Sequence, residues 1–154
     1  MLIEFTLNLS TVPTTNGFIY LTNRISNALR YGNIPIVIRF DVSIRICIFK
    51  LKMPDNLLEP DLDEFNYLML NDDIKLKIQN NNPPTVKDSL EFTRSVRVSQ
   101  DIELNKYLLS FAELPSTLQF DDPLYKLVKK AVEDKRYSED LQNELMKQIP
   151  WTHA

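Results

Sequence analysis

The chain has 154 residues, of which 44% are apolar and 25% charged, and its formal net charge is −3. These values are typical of a globular domain, and the small net charge gives no overall attraction to nucleic acid or to a membrane. The composition includes one cysteine, one histidine and two glycines, which excludes an internal disulfide, a cysteine-rich metal cluster and a glycine-rich phosphate loop.

The N-terminal region begins with alternating apolar and polar residues from Leu2 to Leu9, the pattern of a β-strand. It contains neither a basic and apolar leader nor an apolar run long enough for a membrane span, so we expect a cytoplasmic or nuclear protein. Between Phe18 and Leu29 the apolar residues recur every three or four positions. This spacing predicts an amphipathic helix that lies on the sheet and ends at Gly32.

The stretch from Ile34 to Ile48 has the strongest β signal, because every even position carries a bulky β-forming residue. It is either one bent strand or two strands joined near Phe40–Ser43. The alternation predicts that the even-numbered side chains are buried, with Ile44 or Ile46 at the centre, and that the other face is largely wet. After Ile48 the odd positions become apolar, which predicts a β-bulge near Ile48–Phe49.

The middle of the chain has weaker patterns. The segment from Asp61 to Tyr67 is either a short helix capped by Asp61 or a loop that leads into a strand. The alternation that follows favours the strand, in a hairpin that pairs Phe65–Leu70 with Ile74–Gln79. Apolar residues between Leu90 and Val98 predict a last strand.

The remainder of the chain is predicted to be helical. One helix carries the apolar residues from Leu104 to Phe111, with Ser99 or Asp101 as its cap. A second begins at Asp121-Asp122-Pro123, where acidic caps precede a proline suited to the first turn. Ser138 caps a third, which ends at Pro150.

This order of elements predicts an α+β fold. We expect a mostly antiparallel sheet of about five to six strands with one N-terminal helix, followed by a C-terminal three-helix segment. The β-rich module covers residues 1–98 and the helical segment covers 99–154, and we expect the two to pack together as a single domain.

The polar side of the predicted sheet is basic. Seven acidic and no basic residues lie between Pro54 and Asp73, whereas the segments on either side carry an excess of lysine and arginine. A basic sheet face can bind the phosphates of a nucleic acid or another polyanion. Alternatively, the acidic connector neutralises the sheet or a helix covers it. This structural explanation is favoured because few aromatic residues accompany the basic ones. The candidate polyanion-binding residues are Arg39, Arg45, Lys50, Lys52, Lys75, Lys77 and Arg97.

The only tryptophan, Trp151, lies close to the C-terminus, where chain segments are usually polar. It either folds back onto the helices or anchors in a partner, since tryptophan is common in both roles. Tyr125, Met146 and Trp151 do not all fall on the apolar stripes of the C-terminal helices. They are therefore the candidate partner-binding residues.

The leading functional hypothesis is a non-catalytic adaptor or assembly subunit that binds one or more proteins, and the alternative is a nucleic-acid or polyanion-binding protein. The only histidine, His153, lies near the C-terminus, and Cys47 has no predicted imidazole beside it to activate the thiol. Helix capping is a sufficient explanation for the carboxylates of Asp121 and Asp122. We therefore expect no catalytic residue, no cofactor and no metal, and we expect His153 and Cys47 to be dispensable for function.

Overall fold

An antiparallel sheet of seven strands is present in the computed structural model, which describes residues 2–9, 17–31, 45–73, 75, 83–115 and 122–154. The strands are β1 (Leu2–Leu9), β2 (Ile19–Thr22), β3 (Arg45–Pro54), β4 (Glu59–Pro60), β5 (Ser95–Val98), β6 (Leu108–Pro115) and β7 (Thr152–His153). Their order across the sheet is β4–β5–β2–β1–β3–β6–β7, with every pairing antiparallel. The α+β class is therefore confirmed.

Local sequence explains where several helices begin. The helices are α1 (Ile25–Tyr31), α2 (Leu62–Leu68), α3 (Val86–Phe92), α4 (Leu104–Tyr107), α5 (Pro123–Glu133) and α6 (Glu139–Gln148), and Asp55–Leu57 forms a 3-10 turn. Asp122 caps α5 by accepting a hydrogen bond from the Leu124 N–H at 2.8 Å, and Pro123 occupies the first turn, as predicted. Helix α6 begins after Ser138 and ends before Pro150, which confirms its predicted bounds. The predicted cap was wrong, because the Ser138 side chain makes no capping hydrogen bond.

Hydrophobic clusters cover both faces of the sheet. The first core lies against α1, α5 and α6, and its buried members are Ile25, Leu29, Ile48, Ala112, Leu114, Val128, Ala131, Leu145 and Ile149. The second core consists of Leu21, Leu51, Met53, Leu58, Val96 and Val98. Ile48 and Leu51 lie an odd number of positions apart in β3, so they point to opposite faces of the sheet. Strand β3 therefore contributes to both cores.

The predicted long strand is only partly covered by the structure. Its described part begins at Arg45, and Ile34–Ile44 lie outside the described residues, as does the side chain of Ile46. Ile48, the last even position, is fully buried, as predicted.

The face of β3 opposite Ile48 is buried too. Leu51 and Met53 are fully buried in the second core, on the face opposite Ile48. The largely wet face was predicted for the odd positions of Ile34–Ile48, of which only the partly buried side chain of Cys47 is described. The odd positions become apolar because a second core covers that face. The register shift lies between Lys50 and Leu51, where Leu109 of β6 is the extra residue, and not near Ile48–Phe49.

Helix α2 replaces the predicted hairpin of Phe65–Leu70 with Ile74–Gln79. Most of the hairpin's second strand lies outside the described residues, but the first strand is helical. The observed structure is the alternative, a short helix capped by Asp61, which accepts a hydrogen bond from the Glu64 N–H at 3.1 Å.

Helix α3 replaces the first half of the strand predicted over Leu90–Val98, and only Ser95–Val98 is extended. Thr85 and Asp88 form a capping box, in which each side chain accepts a hydrogen bond from the other residue's backbone N–H. This pair was a start signal for a helix that the strand interpretation overlooked.

Two further segments that were predicted to be helical each include a strand in the structure. The segment from Phe18 to Leu29 divides into β2 and α1, and its predicted end at Gly32 lies outside the described residues. The helix predicted over Leu104–Phe111 ends at Tyr107, and the chain continues as β6. Its apolar residues fit either period, and pairing with β3 selects the strand.

Helix α6 is held on α1 by polar side chains. Gln142 accepts a hydrogen bond from the Ser26 backbone N–H at 3.1 Å and donates one to the Ser26 hydroxyl at 2.9 Å. Both residues are buried. Beside them, the Tyr137 hydroxyl donates to Asn27 Oδ1 at 2.8 Å. These contacts join two helices that are far apart in the chain.

Candidate interaction surfaces

The candidate polyanion-binding residues are only partly within the described structure. Arg39 and Lys77 lie outside the described residues, and for Arg45 only the backbone is described. Lys52 is exposed on β3, and Lys50 is partly buried two positions before it.

The other two candidate residues lie on different elements from the β3 lysines. Arg97 is on β5, which β2 and β1 separate from β3, so these strands are about 14 Å apart at the usual strand spacing. Lys75 is exposed in a helical turn that follows Asn71. The described part of the structure does not gather these residues into one basic patch.

Arg97 is enclosed by an aromatic ring and the acidic connector. Its guanidinium carbon lies 3.8 Å from the centre of the Phe18 ring, and its Nη1 lies 3.6 Å from Asp63 Oδ2. The Tyr20 hydroxyl donates to the same Asp63 oxygen. Only 11% of the Arg97 side chain is exposed. A phosphate can therefore reach this guanidinium only by displacing Phe18 or Asp63.

Of the candidate partner-binding residues, Tyr125 and Met146 lie on the C-terminal helices and Trp151 follows α6. Met146 and Trp151 are partly buried and pack against the first core. The Trp151 indole N–H donates to the Met146 carbonyl at 2.9 Å, in the last turn of α6. Tyr125 is partly buried near the start of α5. The structure thus brings Met146 and Trp151 together, and Trp151 contacts its own fold.

Large apolar side chains are exposed along and just after α2. Tyr67 is 69% and Leu70 is 81% exposed, and Leu62 is exposed at the start of the helix. Phe65 of the same helix is buried, so α2 has one apolar side in the fold and another in solvent. We call Tyr67 and Leu70 the α2 surface, because Leu62 lies around the helix about 60° from the buried Phe65 and about 140° from Tyr67. Exposed apolar side chains mark a binding site when they form a continuous patch.

The α2 surface was not predicted from the sequence, because Phe65–Leu70 was predicted to be a strand. On a strand, Phe65 and Tyr67 share a face and would be buried together. On a helix of 3.6 residues per turn, the two side chains point roughly 160° apart. The cap at Asp61 was the signal that could have revealed this surface.

A buried network of hydroxyl groups holds the start of α2. Asp61 accepts a hydrogen bond from the Ser95 hydroxyl at 2.6 Å, and the Asp61 N–H donates to Ser89 Oγ at 2.9 Å. The Ser89 hydroxyl donates to the Ser95 carbonyl at 2.7 Å. The Thr93 hydroxyl donates to the Ser89 carbonyl, also at 2.7 Å. All four residues are buried. Because they connect α2 with α3 and β5, the α2 surface rests on a well-anchored helix.

The surroundings of α2 are negatively charged. Burial, with the charge of Asp61 as the second cause, raises the pKa of Glu64 above its ordinary value. Asp72 and Asp73 follow Leu70 closely and are exposed. The next basic residue along the chain is Lys75.

The described ranges contain no metal site and no membrane-spanning helix. No group of three or more His, Cys, Asp or Glu side chains in them is placed to hold a metal ion. Their helices are also too short or too polar to cross a membrane. Cys47 is partly buried in β3, and His153 is exposed in β7. Comparison with protein-family models, curated proteins and solved structures finds no match for this chain.

Proposed function

We propose that this chain is a non-catalytic interaction subunit of a larger assembly and that it contacts its partner through the α2 surface. The supporting observation is the exposure of Tyr67 and Leu70, which lie one helical turn apart. Burying such side chains removes apolar area from water at about 25 cal/mol per Å². A single anchor of this kind can contribute about 2 kcal/mol, which is roughly a 30-fold change in affinity.

Affinity purification of the tagged chain from its native cells, with mass spectrometry, tests this function. We expect one or more constitutive partners with the natural chain and a loss of most of that signal with Tyr67→Ser combined with Leu70→Ser. Phe111→Ser, which changes an exposed aromatic residue on β6, is the matched control and should retain the partner. Thermal unfolding of each variant shows whether the fold is intact.

Tyr125→Ser separates this proposal from contact through the C-terminal helices. If this variant loses the partner while the α2 double variant keeps it, the contact surface lies on the C-terminal helices. If neither variant changes the recovered proteins, both surfaces are excluded as the main contact. His153→Ala should retain the partner, because an exposed imidazole has no role in this mechanism.

The alternative proposal, polyanion binding, is supported by a row of lysines on α5. Lys126, Lys129 and Lys130 are all exposed on α5 at helical spacing, so they lie on one side of the helix. Retention on heparin that falls steeply with salt, and that decreases in Lys129→Gln combined with Lys130→Gln, would favour this alternative. If the natural chain and this variant elute from heparin at the same low salt concentration, polyanion binding through these lysines is refuted.

A further inference from the structure

We infer that the partner of the α2 surface is a basic protein segment, in which lysine or arginine side chains flank a small apolar stripe. This inference rests on the proposed function and specifies its partner. It combines the exposed apolar side chains of α2 with the charges beside them.

The exposed residues of the α2 region are of only three kinds. Between Leu62 and Asp73, every exposed side chain is apolar or aromatic, a carboxylate, or an amide. These exposed residues are Leu62, Asp63, Asn66, Tyr67, Leu70, Asn71, Asp72 and Asp73. The connector from Pro54 to Asp73 contains seven acidic and no basic residues. The apolar groups therefore lie within a negatively charged region.

Two basic residues lie beside these carboxylates. Arg97 contacts Asp63, and Lys75 follows Asp72 and Asp73 in the chain. Burial raises the pKa of Glu64, and the charge of Asp61 is the second cause. An acidic partner, or the phosphates of a nucleic acid, would be repelled at this surface, whereas lysine or arginine beside an apolar stripe would be attracted.

NMR titration of the full-length chain with two synthetic peptides tests the inference. Both peptides carry the same leucine stripe at helical spacing, and the polar positions are lysine in one and glutamate in the other. We expect the lysine peptide to shift the amide signals of Leu62–Asp73, and the glutamate peptide to shift none of them. Leu70→Ser should weaken binding of the lysine peptide at least tenfold, since it removes the most exposed anchor.

Charge variants check that the carboxylates select the partner. Asp72→Asn combined with Asp73→Asn should weaken the lysine peptide about three- to tenfold, with less effect at high salt. The matched control, Asp140→Asn combined with Glu144→Gln, removes two exposed carboxylates from α6 and should leave the affinity unchanged. An equal loss in both variants would mean that the peptide responds only to net charge, which overturns the inference.

The outcomes distinguish the basic partner from the proposed function. The inference of a basic partner is refuted if the glutamate peptide binds at α2 as tightly as the lysine peptide. If the Tyr67 and Leu70 variant also loses the cellular partner, the proposed function as an interaction subunit is still supported. Binding of neither peptide also overturns the inference. Shifts of Leu62–Asp73 that depend on protein concentration without peptide would instead identify a second copy of the chain as the occupant. If the Tyr67 and Leu70 variant retains its cellular partners, the proposed function itself is refuted.

Discussion

Replacing Gln142 with alanine should destabilise the protein by about 2–5 kcal/mol, because it leaves two buried groups without partners. Gln142 is only 6% exposed and makes two hydrogen bonds with Ser26, which is fully buried. The Ser26 N–H lies in the first turn of α1, where backbone donors have no partner within the helix. Each donor or acceptor left unsatisfied in the interior costs about 1–3 kcal/mol.

Equilibrium unfolding in urea measures this loss as a lower midpoint at an unchanged slope. Gln148→Ala is the matched control on the same helix. It removes only an exposed hydrogen bond to Glu144, so it should change stability by less than about 0.5 kcal/mol. Ser26→Ala, alone and combined with Gln142→Ala, completes a double-mutant cycle with a coupling of about 0.5–3 kcal/mol. If Gln142→Ala and Gln148→Ala have equal effects, the contact between α1 and α6 does not stabilise the fold as we reason.

Three further changes test the cores and the charge near α2. Ile48→Ala should cost about 2–5 kcal/mol in urea unfolding, because Ile48 is 0% exposed in the first core, and a loss below about 1 kcal/mol would contradict that burial. Trp151→Ala should cost about 1–3 kcal/mol, less than for a fully buried tryptophan, and an unchanged melting temperature would show that this side chain does not stabilise the fold. Glu64→Gln should be more stable than the natural chain at neutral pH. Burial and Asp61 raise the Glu64 pKa above 4.5, so the folded state loses stability as the pH rises through that pKa. The difference should vanish well below 4.5, and an equal difference at about pH 3 and pH 7 would refute this cause.

Several elements could be predicted from short sequence signals. Asp122 and Pro123 place the start of α5, and the apolar spacing of α6 predicts the burial of Leu145 and Ile149. These signals suffice because a helix start depends on side chains and backbone groups within a few residues of each other. The capping box of Thr85 and Asp88 is a signal of the same kind, and α3 was predictable from it.

Other features depend on contacts between distant residues. The segment after Tyr107 fits a helix as well as a strand, and it becomes β6 because β3 offers an unpaired edge beside the first core. Burial of both faces of β3 likewise depends on which elements cover each face, and alternation along one strand carries no information about that. The α2 surface was missed for the related reason that a helix and a strand direct Tyr67 to different sides.

The sequence by itself determined the α+β class, the antiparallel sheet and the starts of α5 and α6. The start of α5 follows from capping within a single turn, and the other features follow from periodicity. Only the tertiary structure decided which polar residues are structural. Gln142 satisfies the N–H of Ser26, 116 residues earlier in the chain, and no local pattern marks either residue. The physical reason is that a buried donor can be satisfied by any acceptor that the fold brings within about 3 Å, whatever its distance in the sequence.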